Sequence, residues 1–141
     1  MLLDTNALLL PVRLRFPLES EVHRLCPGAT LAVPSSVVDE LGKLAEEEVP
    51  GARVASELSR RYPVVPVKAR GDQGVVEAAR RRRSWVVTAD RALSARLRQF
   101  GVSVLVPRDR HRLELHPGRA VPASGAAATP TRKPARRRQR L

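Results

Sequence analysis

A three-layer α/β/α sandwich with a central parallel sheet is the fold class this sequence predicts, and three observations carry it. Short apolar runs recur along the chain, at residues 1–3, 31–33, 64–67, 85–87 and 102–106. Strands that are apolar throughout are buried on both faces. Stretches of helical periodicity alternate with these runs, the order that covers a parallel sheet on both sides. Finally, an aspartate closes two of the runs: Asp4 follows Leu3, and Asp90 ends Val86-Val87-Thr88-Ala89-Asp90. Folds of this class bind ligands just outside the carboxyl ends of their strands.

Taken in order, the first run stops at Asp4, with the apolar Ala7-Leu8-Leu9-Leu10 behind it. Residues 18–25 predict a short helix with Leu18, Val22 and Leu25 on its apolar spacing. Residues 31–33 predict a strand. Pro34 follows, and Ser36 placed three residues before Asp39 reads as a capping box opening a helix to about residue 48. Pro50-Gly51 breaks the chain, and residues 52–61 predict a helix with Ala52, Ala55, Leu58 and Ser59 on one face. In the run at 64–67, Pro66 marks an edge strand or a strand end. A helix over 72–83, a strand over 85–87, a helix over 91–100 stopped by Gly101, and a strand over 102–106 complete the pattern. No internal repeat is evident.

With 141 residues, 43% of them hydrophobic, the chain is long enough for one domain with its own core. The lone Cys26 excludes an internal disulfide framework and a Cys-rich zinc site, and suits a reducing compartment. No apolar stretch approaches the ~18 residues of a membrane span, and residues 1–4 do not read as a signal peptide. The expectation is a cytoplasmic protein with no membrane partner. Twenty-six Lys and Arg against 14 Asp and Glu give a net charge of +12, a field that attracts polyanions. Aromatics at 3% exclude a stacking platform for single-stranded bases.

The charge is uneven. Seven basic residues and no acid lie from Arg119 onward, with Pro122, Pro130 and Pro134 and no apolar periodicity. Such a segment cannot repay the entropy of ordering. The organisation expected is a folded domain over 1–117 and a disordered basic tail over 118–141. Its Arg132, Lys133, Arg136, Arg137, Arg138 and Arg140 either grip phosphates without reading sequence or act only as a solubiliser.

Four carboxylates are the informative residues. Asp4 and Asp90 project from one edge of the sheet; Asp90 alone would be explained as a helix N-cap. Asp4, pinned between two apolar runs, wants a cation or several hydrogen-bond donors. Asp72 opens a helix in Gly71-Asp72-Gln73-Gly74 and, at ~100° per residue, falls on the face defined by Val75, Val76 and Ala79. Glu40 borders the stripe of Val37, Val38, Leu41, Leu44 and Ala45, whereas Asp39 points to water. Bare, these charges would raise one another's pKa. A divalent ion removes the conflict, and hard oxygens with room for water suit Mg²⁺ or Mn²⁺. Two such ions ~3.5–4 Å apart activate a water and hold the leaving oxygen in a phosphodiester displacement. An acidic site inside a basic protein is therefore read as a nuclease.

The ordered set Leu3-Asp4-Thr5-Asn6, Val37-Val38-Asp39-Glu40, Gly71-Asp72 and Val87-Thr88-Ala89-Asp90-Arg91-Ala92-Leu93 resembles the PIN-domain nucleases over about residues 1–115. The eighteen-residue step from Asp72 to Asp90 matches the family's usual spacing. The resemblance implies that Asp4, Glu40, Asp72 and Asp90 are the metal-binding acids and that Asn6 and Thr88 support them. It also implies a Mg²⁺- or Mn²⁺-dependent endoribonuclease leaving 5′-phosphate and 3′-hydroxyl ends. The leucine run after Asn6 and the segment Arg96-Leu97-Arg98-Gln99-Phe100-Gly101-Val102 resemble small stand-alone archaeal members related to ribosomal-RNA-processing nucleases. A ribosomal precursor is then the RNA partner. A toxin-type ribonuclease with an antitoxin partner stays open, as does a homodimer. Those relatives often show Gly-Asp-Asp where this chain has Gly71-Asp72-Gln73, a loss that would weaken one metal position.

That departure, with the basic tail, favours the alternative of a weakly catalytic or non-catalytic RNA-binding or assembly factor. A receiver-like phosphoacceptor ranks lower, because none of Lys43, Lys68 and Lys133 follows a core strand. Arg80, Arg81, Arg82 and Arg83 end a helix, where cations suit the macrodipole, and are candidate RNA-backbone contacts. His23, His111 and His116 share no spacing with the acids and read as surface residues. Cys26 reads as core, and Trp85 as a packing residue.

Overall fold

The structure, a computed structural model, describes residues 1–119, so the expected tail lies almost wholly outside the described residues. Among the described residues, six strands and six helices follow one another, largely in the expected alternation. The strands are β1 (Leu2–Leu3), β2 (Val33–Pro34), β3 (Val64–Val65), β4 (Val86–Val87), β5 (Val104–Pro107) and β6 (Leu113–His116). The helices are α1 (Thr5–Leu14), α2 (Leu18–Leu25), α3 (Ser35–Glu46), α4 (Ala52–Ser59), α5 (Gly71–Arg82) and α6 (Arg91–Gln99). Strands β1, β4, β5 and β6 form one sheet in that order, and β2 pairs with β3. A parallel bridge from Leu2 to Ala32 joins the two sets, with Leu3 N–H donating to the Ala32 carbonyl at 3.0 Å. The first strand therefore sits in the middle. β1 runs parallel to β4, and β4 to β5, with Leu3 opposite Val87. Leu2, Leu3, Val33, Val65, Val86, Val87, Val104 and Leu105 are buried, as strands covered on both faces must be.

Helices flank this sheet. α3 packs on α4 and α5, α1 on α4, α6 on β5, and α2 on β6. The core is almost entirely aliphatic, built from residues such as Leu8, Val22, Val37, Leu41, Ala79, Leu93 and Leu97. Ala52, Ala55 and Ser59 are the buried face of α4, as its spacing predicts. Gly101 stops the turn after α6 with a φ of 82°, a conformation glycine adopts without strain.

Three expectations are corrected, and the predicted sheet gains an edge strand. Ser36 is not a cap: α3 begins two residues earlier than a Ser36 cap would set it, with Pro34 at the N-cap and no side-chain capping bond. Ser35 Oγ instead accepts from Val67 N–H at 2.9 Å, while the buried Ser36 Oγ has no partner among the described residues. α1 is a full helix where only an apolar run was expected. Asp4 caps it and Arg15 closes it in the left-handed conformation. The central sheet is parallel as predicted, and β6 adds an antiparallel strand at its edge, with Leu105 opposite Leu115. Cys26 is half-buried, not core.

β6 is held from outside the sheet as well. The buried Glu21 of α2 accepts from Leu113 N–H at 2.8 Å, and Arg24 donates to the Leu113 carbonyl at 2.9 Å. The two side chains also pair with each other at 2.9 Å. This pairing and the Leu113 bond hold the Glu21 carboxyl at about 2, below its usual range, despite the opposing effect of burial.

Candidate active site

Asp4 and Thr88 stand side by side because β1 and β4 are in register: each residue directly follows one member of the Leu3–Val87 pair. Asp4 is 3% exposed and Thr88 fully buried. Both Asp4 oxygens are engaged: Oδ1 accepts from Ala7 N–H at 2.7 Å, and Oδ2 accepts a short hydrogen bond from the Thr88 hydroxyl. One carboxylate thus caps α1 and points from the sheet edge. Burial raises its pKa to about 7, against the two hydrogen bonds, and the charges of Asp72 and Asp90 push the same way as burial.

Asp90 lies two residues beyond Thr88, and its backbone N–H donates to Thr88 Oγ1 at 3.0 Å. Its Oδ1 caps α6 by accepting from Leu93 N–H at 3.1 Å. Glu40 comes from the second turn of α3 and is exposed, yet it is not loose: the buried Thr5 donates to Glu40 Oε1 at 2.6 Å. Asp72 comes from the first turn of α5 and is exposed, which corrects the expected position in the middle of the buried face. Its pKa is raised by partial burial and by the charges of Asp90 and Glu40, while Arg96 lowers it.

All four acids line one cavity of about 320 Å³, with Thr5, Asn6 and Arg13 also on its wall. Among the described residues no three Asp, Glu, His or Cys side chains stand close enough to ligate one ion together. The donors are hard oxygens with space for water between them. That set fits Mg²⁺ or Mn²⁺ held through one or two carboxylates and completed by water, and does not fit a closed protein cage.

The fold and this arrangement can be compared with known proteins. A family model described as a PIN like domain matches residues 1–110. The chain belongs to the PIN-like domain family. Among solved structures, the PIN domain endonuclease Utp24 superposes with a TM-score of 0.66 at 21% identity, over 80% of this chain and 89% of that one. A domain of a functionally unknown protein from Methanocaldococcus jannaschii DSM 2661 superposes with a TM-score of 0.57 at 16% identity, over 77% of this chain and 90% of that one. At these identities the likeness is one of fold. No curated protein matches the chain.

The structure of this PIN-like domain also brings in residues that the sequence pattern leaves out. Thr5 is visible in the sequence only as a member of the Asp4-Thr5-Asn6 motif; its bond to Glu40 spans 35 positions. Arg13 reaches the cavity wall while its guanidinium donates to the Pro50 carbonyl, through Nε at 3.2 Å and Nη2 at 3.1 Å. Gln73 does not line the acid cavity but the neighbouring groove, beside Arg80, Arg81 and Arg96. Of the four-arginine run, Arg82 lies near the Met1 amino group, at the opposite end of β1 from Asp4. Arg83 closes α5 in the left-handed conformation. His23 and His111 are exposed, and His116 is half-buried against Glu114 at 2.6 Å, all away from the cavity.

Proposed function

We propose that this chain is a Mg²⁺- or Mn²⁺-dependent endoribonuclease that hydrolyses RNA phosphodiester bonds, acting in ribosomal RNA processing. The observation that carries the proposal is a buried carboxylate at a central strand end, Asp4, opening into a cavity that Glu40, Asp72 and Asp90 complete. A divalent ion bound there would offset the crowded charge and supply the Lewis acidity that lowers the pKa of water. Asp4, Glu40, Asp72 and Asp90 would hold such ions, one or two carboxylates to each, with water completing the shell.

The chain's own residues do the positioning. Thr88 and Ala7 N–H fix both Asp4 oxygens, so this carboxylate needs no reorganisation when its charge is used. Thr5 holds one Glu40 oxygen and leaves the other available. Asp90 is tethered through Oδ1 only. Hydrolysis adds water to the phosphorus, and the leaving 3′ oxygen takes up a proton, giving 5′-phosphate and 3′-hydroxyl ends. Gln73 faces the adjacent groove, so its amide removes no carboxylate from the cavity wall. A second reading, RNA binding with weak catalysis, draws on the spacing of the acids, which line the cavity without three of them meeting.

The test is cleavage of a mixed RNA pool with Mn²⁺, with and without chelator, by the wild type and by Asp4→Asn. Metal-dependent cleavage that the substitution abolishes is expected; equal cleavage by the two proteins would overturn the assignment.

A further inference from the structure

Beside the acid cavity, between α5 and α6, lies a second groove of about 680 Å³ lined by Gln73, Glu77, Arg80, Arg81 and Arg96 among others. The two openings share the first turn of α5: Asp72 faces one and the next residue, Gln73, faces the other. They are close enough for the Arg96 charge to act on Asp72.

The groove walls are pre-ordered. Arg80 stacks over the Phe100 ring, with its guanidinium carbon 4.2 Å from the centroid. Arg81 is held by Glu77 Oε2 at 3.3 Å and by a short bond to the Pro66 carbonyl. Glu77 would repel an anion if its charge were bare, but its oxygens accept from Lys68 N–H at 3.1 Å and Ala69 N–H at 3.0 Å as well as from Arg81. Arg96 is exposed and makes no hydrogen bond or ion pair among the described residues. The groove therefore presents three guanidinium groups against one acid already engaged. With Arg13 on the wall of the acid cavity, cations flank the acids on either side.

We infer that this groove is a backbone subsite for single-stranded RNA, in which Arg96, with Arg80 and Arg81 behind it, takes a phosphate next to the one presented to the four acids. The inference rests on the ribonuclease reading for the identity of its ligand. With no partner of its own among the described residues, the Arg96 guanidinium is available to the strand as it enters. Arginine forks suit phosphate oxygens, and such contacts position a strand without reading its bases. The low aromatic content agrees, since nothing here stacks bases except the already occupied Phe100.

The test uses the full chain and a fluorescein-labelled single-stranded RNA of about twelve nucleotides, in chelator so that nothing is cleaved, titrated with salt. Replacing Arg96 by Gln should lower the slope of log affinity against log salt by ~0.7, the contribution of one phosphate on a single strand. Arg96→Lys should restore most of it. Arg61→Gln, in the turn after α4 and lining neither opening, is the control and should leave the slope unchanged. With Mn²⁺ added, Arg96→Gln should raise KM several-fold and leave kcat within about twofold, because the residue stands beside the reacting phosphate and not on it. Equal slopes for Arg96→Gln and Arg61→Gln, or no RNA binding by the wild type, would overturn the subsite. RNA binding that depends on Arg96 in a protein that cleaves nothing would keep the subsite and end the nuclease reading.

Discussion

Replacing Asp4 by Asn should stabilise the metal-free protein at neutral pH, and the size of the effect follows from the burial of that carboxylate. Its pKa rises from 3.8 in the unfolded chain to about 7 in the folded one. The native state therefore holds this proton more tightly than the unfolded state does. The group's stabilising contribution is complete below pH 3.8 and is lost as the pH climbs through 7. Carried across that interval, the loss is about 4 kcal/mol. Asn keeps an acceptor for Ala7 N–H and can donate to Thr88, so roughly 1 kcal/mol of that gain is given back in poorer hydrogen bonds. Urea unfolding of both proteins in chelator, at intervals between pH 4 and 8, isolates the effect in the difference between the two curves. The proteins should be nearly equal at pH 4, with Asp4→Asn roughly 3 kcal/mol the more stable at pH 8. Saturating Mg²⁺ should then stabilise the wild type, by ~2.7 kcal/mol at a hundred times its Kd, and do little for the variant. A difference that stays flat from pH 4 to 8 would refute the reasoning, because Asp4 would then ionise as easily folded as unfolded.

Three further outcomes are expected. Thr5→Val removes the donor that holds Glu40 and should lower kcat about tenfold while costing about 1 kcal/mol of stability; metal-dependent cleavage and urea unfolding measure the two effects. At Gly74 an added Cβ would lie 2.3 Å from Ser36 Oγ and 2.6 Å from the Ala69 carbonyl. Gly74→Ala should therefore lose about 1–3 kcal/mol to overpacking, more than the ~1 kcal/mol that alanine gains in a helix, and a lowered urea midpoint is the sign to look for. Deleting residues 120–141 removes six basic residues. If half of them engage RNA, the salt slope should fall by about two, with cleavage at saturating RNA retained.

The strands and helices that carry chemistry were legible because their signals are local. Val86-Val87 followed by Thr88 and Asp90 places two acids at one edge as soon as Leu2-Leu3 pairs with it, and the structure has that register. α1 was hidden by two residues with double meanings. Asp4 reads as chemistry but also caps the helix, and Pro11 reads as a breaker but sits inside it. β6 alternates apolar and polar residues, Leu113-Glu114-Leu115-His116, and a search for wholly apolar runs passes over it. Its place is fixed by Glu21, ninety-two positions away. The Thr5–Glu40 bond and the presence of Arg96 beside Asp72 are likewise products of packing. Thr5 shows in the sequence only through its motif, with nothing that points to Glu40, and no neighbour of Arg96 announces its place beside Asp72.

The middle position of β1 has a consequence for the order in which the protein comes into being. A nascent chain that has emerged as far as residue 85 already carries Asp4, Glu40 and Asp72, but β4 is not yet there to flank β1 on its second side. Thr88 has not arrived to take the Asp4 oxygen, and Asp90 is missing. The cavity cannot close on partial synthesis, and whatever it does to nucleic acid begins only after most of the domain has left the ribosome that is making it.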